Sequence, residues 1–365
     1  MHNEKVNEVE AKLEKAKAVR EMKDAPDFFI NIQANEEEFK EENKVVEECG
    51  KKVPDFIDGE FNEMLNLGSL ADENSPRKLK KIEILSKISS VIQETPSYIF
   101  HNSDKTVWIS QGEELQKYRS KGLNLQASTR YDIKAIYMSL GPNNDILVCK
   151  SGSSTLCRIK ENGKLDAFFY SVENLFPVSV CATKDLIYIG AVNKEYPEYG
   201  RRAIIVKDSA GQFIRKLEYY KDQKPVIVYP ICMTHANNEV IYVIDGLSHD
   251  NGFRVVRWNT TKNIIAYYYG HAAINSFSKK FKPNAISVTP KNSIIVCDSS
   301  CNTLHILNGE NKLMAYVKLN EFGICNVLSI SCFPSNIHIG SRTRSLKKTV
   351  FRINVVSIDG YSDWF

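Results

Sequence analysis

The chain has 365 residues, 43% of them hydrophobic and 25% charged, an ordinary globular composition with room for one large domain and an appendage. No run approaches the roughly eighteen uninterrupted apolar residues of a membrane span, and the charged first twenty residues give no signal-peptide apolar region. The reading is therefore of a cytoplasmic protein without a membrane partner. The net charge of +4 hides a division: residues 1–96 hold 15 Lys and Arg against 22 Asp and Glu, while residues 97–365 hold 33 against 22. An acidic arm is joined to a basic globule.

Residues 1–50 are expected to form a helical arm. Val6, Val9, Leu13 and Ala16 recur at three- and four-residue spacing within a first helix over 3–23. Pro26 interrupts the pattern. A second helix is expected from about Asn35, a good N-cap with Glu36, Glu37 and Glu38 in the first turn, to Glu48. Both helices are short and carry few apolar positions, so any self-association through them is expected to be weak. A linker over 51–76 follows.

From 77 to the C-terminus the texture changes to short β-rich runs separated by Asn, Gly, Ser and Asp. An apolar triplet recurs: Val107-Trp108-Ile109, Ile146-Leu147-Val148, Ile187-Tyr188-Ile189, Ile241-Tyr242-Val243, Ile294-Ile295-Val296 and Ile337-His338-Ile339. Its centres are 39, 41, 54, 53 and 43 residues apart. Another strand precedes the triplet across a polar turn, and a third and fourth follow, the last two joined by a Gly- or Asn-containing turn. That spacing predicts an all-β, six-bladed β-propeller, with insertions in the longer third and fourth units. The sixth repeat lacks a clear fourth strand, and Ile82–Ile88 is an unassigned β-like stretch upstream. Residues 80–92 are therefore expected to supply the outer strand of the last blade and close the ring.

The unit KFKPNAISVTPKNSIIVCDSSCNTLHILNGENKLMAY resembles the NHL repeats of tripartite-motif (TRIM) proteins. Lys51–Glu73 is similar to the linker before the propeller in the expanded TRIM-like sets of molluscs, and EKVNEVEAKLEKAKAV is similar to the end of the TRIM coiled coil. The RING and B-box modules of a complete TRIM protein have no counterpart here, so the resemblance does not imply ubiquitin-ligase activity. It implies a binding or scaffold propeller.

Catalysis is not expected. No GxSxG, HExxH or CxxC motif occurs, and the seven histidines fall at no metal-pair spacing. Asp245 and Asp298 follow their triplets at matching places, as the axial ligands of metal-dependent propeller hydrolases would. The other units offer Ser110, Lys150, Gly190 and Gly340, however, so the ring is not acidic. These Asp are expected to accept backbone N–H bonds in the loops they begin. Of the nine cysteines, Cys149, Cys181, Cys232, Cys297 and Cys325 sit in or beside strand-like apolar runs, where a thiol packs as a small hydrophobe. Cys297 with Cys301 makes no zinc site, since nothing nearby supplies two more ligands. No metal or cofactor is expected.

The basic residues are informative once placed on the fold. Loops joining second to third strands, and loops joining one blade to the next, leave the same face. They carry Arg201 and Arg202; Arg342, Arg344, Lys347 and Lys348; and Lys279, Lys280 and Lys282, with Tyr196, Tyr199 and Phe281 beside them. This face is the candidate site, with a protein as the expected partner. Single-stranded or hairpin RNA is the alternative, because cations and stackable rings at one surface suit it and some TRIM-type NHL propellers bind it.

Overall fold

The computed structural model describes residues 76–365 apart from 93–95, 103–105, 122–123, 169–174, 194–199, 220–223, 237–238, 248–251, 345–348 and 359–365, together with 56–57 and 69–70. The expected helical arm lies outside the described residues. Within the expected linker, Phe56–Ile57 pairs antiparallel with Ser69–Leu70.

The remaining described residues are all-β apart from one 3-10 turn, Leu319–Phe322. They form six blades of four antiparallel strands. The first strands, in blade order, are Pro96–His101, Ala135–Leu140, Leu175–Ala182, Pro230–His235, Pro283–Val288 and Val327–Phe333. Each packs against the next around the centre, and the sixth packs back against the first, so the ring is closed.

Closure occurs as the repeat count required. Ile82–Ile92 pairs antiparallel with Thr349–Ile358 and supplies the fourth strand of blade 6, so early and late residues share one sheet. A parallel bridge, Ser89 to Asn124, links this strand to the outer strand of blade 1. Arg77–Lys78 also adds to the outer edge of blade 5, parallel to Leu313–Lys318.

The apolar triplets occupy the second strand of every blade. Each is flanked by two strands and covered on both faces by neighbouring blades, which is why it reads as continuously hydrophobic. Ile187, Tyr188, Ile189, Ile241, Tyr242, Val243, Ile294, Ile295 and Val296 are all buried. Outer strands meet water and lose that pattern: in Phe213–Leu217 only Leu217 is buried, and Arg215 and Lys216 blunt the edge. The turns between third and fourth strands of blades 2 to 5 each place one residue at positive φ, namely Gly163, Gly211, Asn263 and Asn311. Gly and Asn are the residues that tolerate this conformation.

The pairing register shifts near the start of the first strand in all six blades, in four cases just after a proline: Pro96, Pro177, Pro230 and Pro283. Proline cannot donate to the ladder, so it suits a position beside a bulge. The register also corrects one alignment. The residues opposite the first-strand residue that precedes each shift are Gln111, Lys150, Ala191, Asp245, Asp298 and Ser341. The equivalents of the two aspartates therefore lie one residue beyond Ser110, Gly190 and Gly340, and none of them is acidic.

Candidate functional site

The longest described connection on the predicted face joins blade 4 to blade 5 over residues 269–282. Within it Ser276 and Lys279 exchange backbone hydrogen bonds of 3.3 and 3.0 Å, which lifts Phe277 and Ser278 to the tip of a tight turn. Phe277 is 72% exposed there, with Lys280 Nζ 5.6 Å from the centre of its ring. Lys279, Lys280 and Lys282 are all exposed. Tyr219, on the connection from blade 3 to blade 4, is a second exposed ring on this face.

The turn stands on a fixed base. Asn275 accepts the His271 amide through Oδ1 at 3.1 Å and donates Nδ2 to Asp298 Oδ2 at 2.6 Å. Asp298 Oδ1 accepts the amides of Lys282 (3.1 Å) and Ser300 (2.9 Å). One buried carboxylate thus ties the 269–282 connection to the end of the second strand of blade 5. Burial would raise this carboxyl, but neighbouring His305 and the donors Asn275 and Ser300 outweigh it and hold it well below the usual range.

Asp245 has the same task in blade 4. Its Oδ1 accepts the amides of Val228 (2.8 Å) and Tyr229 (2.7 Å), while Arg254 grips Oδ2 through Nε at 2.9 Å and its terminal nitrogen at 2.8 Å. Arg254 also donates to Val226 O at 2.8 Å and lies over the Tyr267 ring. Burial pushes the Asp245 carboxyl up and Arg254 opposes it. The expected role of the two aspartates is met, with one change. Except for Ser300, the amide donors come from the connection entering the same blade, not from the loop the aspartate begins.

Several expected site residues are placed elsewhere. Phe281 is buried in the core, edge-on to Tyr268 at 5.4 Å and tilted against His305 at 5.1 Å, so it presents no ring to a ligand. Arg202 is buried and donates to Gly200 O at 3.2 Å. Arg201 is neutralised by Glu218, at 2.8 and 3.4 Å, which also takes Lys216 at 2.7 Å. Arg342 is partly exposed at the end of the second strand of blade 6. Arg344 lies on that strand, its side chain outside the described residues, as are Tyr196, Tyr199, Lys347 and Lys348. Exposed Glu113 and Asp132 share the face at blades 1 and 2. Among the described residues of the expected set, the exposed positive charge is Lys279, Lys280 and Lys282 on the connection into blade 5, with Arg342 of blade 6 partly exposed.

At the centre, Tyr137 of blade 2 reaches past blade 3 to blade 4, donating to Met233 O at 2.8 Å and accepting the Met233 amide at 3.1 Å. Tyr98 packs against it with ring centroids 4.7 Å apart, and Cys232 Sγ lies 3.0 Å from the Tyr137 hydroxyl. Burial raises both hydroxyls well above the usual tyrosine range and Cys232 to about 11, so these groups are neutral at pH 7.

The sequence reading missed one cluster. Asp298, Cys301 and His305 bring their ligand-type atoms within 4.8 Å of one another. Spacing alone gave no warning, because the strands that converge them had first to be registered. Cys325, expected to pack as a hydrophobe, is exposed instead, in the turn just before the first strand of blade 6.

No protein-family profile and no curated protein sequence matches the chain. Among solved structures it is similar to virginiamycin B lyase from Staphylococcus aureus, at 13% identity and a TM-score of 0.47, covering 75% of this chain and 99% of that one. It is similar to a streptogramin B lyase at 13% identity and a TM-score of 0.46, covering 74% and 98%. A catalytically inactive virginiamycin B lyase from Staphylococcus aureus with quinupristin gives 12%, 0.46, 75% and 99%.

Proposed function

We propose that this protein is a non-catalytic, cytoplasmic binding propeller of the TRIM-like NHL type, which recognises a protein partner carrying acidic residues through the face displayed by blades 4 to 6. The observation that carries this reading is the 276–279 turn. It presents an exposed aromatic tip beside three exposed lysines, on a base fixed by Asn275 and Asp298. A pre-ordered aromatic anchor rimmed by charge suits protein recognition, because little conformational entropy is lost on docking.

RNA is favoured less. The cationic track that a phosphate backbone needs is interrupted by Glu113, Asp132 and the neutralised Arg201. Phe281, one ring expected to stack bases, is core.

The test is affinity capture with the full chain, with and without nuclease, alongside a Phe277→Ala, Lys279→Glu, Lys280→Glu variant. Nuclease-resistant capture of protein, weakened at least about thirtyfold by the variant, is expected on the scale of hot-spot losses. Capture that vanishes with nuclease, or that the variant leaves intact, overturns the reading.

A further inference from the structure

We infer that Asp298, Cys301 and His305 form a binding site for one divalent zinc ion, beneath the loop face at the entry to the third strand of blade 5. Asp298 ends the second strand, Cys301 lies in the following turn, and His305 is in the middle of the third strand, Thr303–Leu307. Cys301 Sγ is 3.2 Å and His305 Nε2 3.5 Å from Asp298 Oδ2. Zinc bonds of about 2.0–2.3 Å to oxygen, nitrogen and sulfur at tetrahedral angles put ligand atoms about 3.4–3.6 Å apart. Two of the three separations are already close to that spacing, and the third, between Cys301 and His305, lies within 4.8 Å, so a small movement brings the three atoms onto one ion.

The orientation of each donor points the same way. His305 Nδ1 is 2.8 Å from the Tyr268 hydroxyl, the outer contact that fixes a ligating imidazole and leaves its other nitrogen free for metal. That other nitrogen, Nε2, is on a fully buried side chain and faces Asp298 Oδ2 at 3.5 Å, too long for a well-formed hydrogen bond. A buried imidazole nitrogen held only by so long a contact is under-satisfied in an apoprotein and would be satisfied by a metal. Asp298 Oδ1 is taken up by two amides, and Oδ2, which also accepts Asn275 Nδ2, is the oxygen that faces the cluster. Cys301 is partly exposed and opens a route from solvent.

Charge separates this site from its counterpart one blade earlier. Asp245 is neutralised by Arg254. Asp298 is as deeply buried, yet its recorded ion-pair neighbour among the described residues is His305. A dication with one carboxylate, one thiolate and one neutral imidazole sums to zero, which removes the penalty of an uncompensated buried charge. The fourth coordination position would be held by water. This site stands independently of the partner reading, although the same carboxylate also supports the Phe277 turn.

The experiment adds Co²⁺, then Zn²⁺, to the metal-stripped full chain. The expected results are a thiolate-to-cobalt charge-transfer band, retention of about one zinc per chain after dialysis, and protection of Cys301 from alkylation while exposed Cys325 stays reactive. Cys301→Ser should abolish the band, and Tyr268→Phe should weaken binding about 10- to 100-fold. No zinc retained, Cys301 alkylated equally fast with zinc present, or a band unchanged in Cys301→Ser would each overturn the site. The alkylation arm uses the unaltered chain, so it decides even if a variant misfolds.

Discussion

Replacing Arg254 with Met tests how strongly the loop face depends on its buried ion pairs. Asp245 is fully buried and takes two Arg254 nitrogens on Oδ2 at 2.9 and 2.8 Å, with two amides on Oδ1. Met fills much of the arginine stem's volume, so the main loss is the charge and its hydrogen bonds. Removing one member of a buried pair strands the other, at a cost of about 3–5 kcal/mol. For a domain of this size that lowers the melting midpoint by on the order of 10 °C. Asp245→Asn removes the stranded charge, so Arg254→Met in that background should cost only about 1–2 kcal/mol, from the Val226 carbonyl and the Tyr267 ring. The cycle should therefore report a coupling of roughly 2–3 kcal/mol. The pH dependence has a definite sign. Burial already raises the Asp245 carboxyl above its ordinary value, and loss of Arg254 raises it further. A folded-state pKa above the unfolded one means that the native state binds the extra proton, so the Arg254→Met penalty should shrink as pH falls from about 7.5 towards 5. Urea unfolding at several pH values measures both quantities. A penalty below about 1 kcal/mol, or one flat across that range, would show that water solvates Asp245 and would refute the reasoning.

Three further perturbations probe the seams of the ring. His101 is buried, and burial together with His338 lowers its pKa to about 3; stability linked to it is complete above the unfolded value near 6.5 and lost as pH falls. His101→Gln should flatten the acid limb of a stability-versus-pH curve by up to about 1.4 kcal/mol per pH unit between roughly pH 6 and 4, and an unchanged limb would assign that loss to other groups. A Cβ at Gly190 would lie 2.9 Å from Pro230 Cβ and closer still to Ser179 Oγ, so Gly190→Ala should cost about 1–3 kcal/mol in urea unfolding; a neutral result would mean that blades 3 and 4 yield freely. Tyr137→Phe leaves the Met233 carbonyl and amide without their hydroxyl partner and should cost about 1–3 kcal/mol, unless water enters the axis, which hydrogen exchange at Met233 would report as lost protection.

What the sequence made legible follows from repetition. Thr303–Leu307 and Phe213–Leu217 fall where the repeat calls for a third and a fourth strand after the triplet, because each lies between polar turns that recur from unit to unit. Closure by Ile82–Ile92 was legible by subtraction, since the sixth repeat lacked a strand and one β-like run was unassigned. Glu114–Lys121 and Asn124–Tyr131 of blade 1 were not, because these outer strands are largely solvated and carry Lys, Arg, Gln and Ser in place of an apolar pattern. Side-chain direction was the harder problem. Phe281 was expected on the surface because lysines flank it. Lys280, Phe281 and Lys282 nevertheless diverge, and the ring turns inward onto Tyr268 while both ammonium groups stay in water. Arg201 and Arg202 divide in the same way, one tied to Glu218 at the surface and the other buried.

These placements explain how a propeller with weak repeat-to-repeat identity keeps a specific face. Neighbouring first strands are tied by side chain-to-backbone bonds that no alternating pattern would disclose. Ser179 donates to Pro230 O at 2.6 Å, Asn284 to Val327 O at 2.6 Å, and Ser287 accepts the Cys332 amide at 3.0 Å. Each crosses from one blade to the next and leaves the outer loops free to vary. Blades 4 and 5 then use one repeat position, Asp245 and Asp298, to fasten an incoming connection to a second strand. The side chains around the carboxylate differ: arginine serves the first, and histidine with cysteine surrounds the second. The connection held by Asp298 is the one bearing Phe277. A ligand that fixed this carboxylate would therefore stiffen the aromatic turn without touching it, and partner affinity should rise with occupancy of the cluster although the interface itself gains no contact.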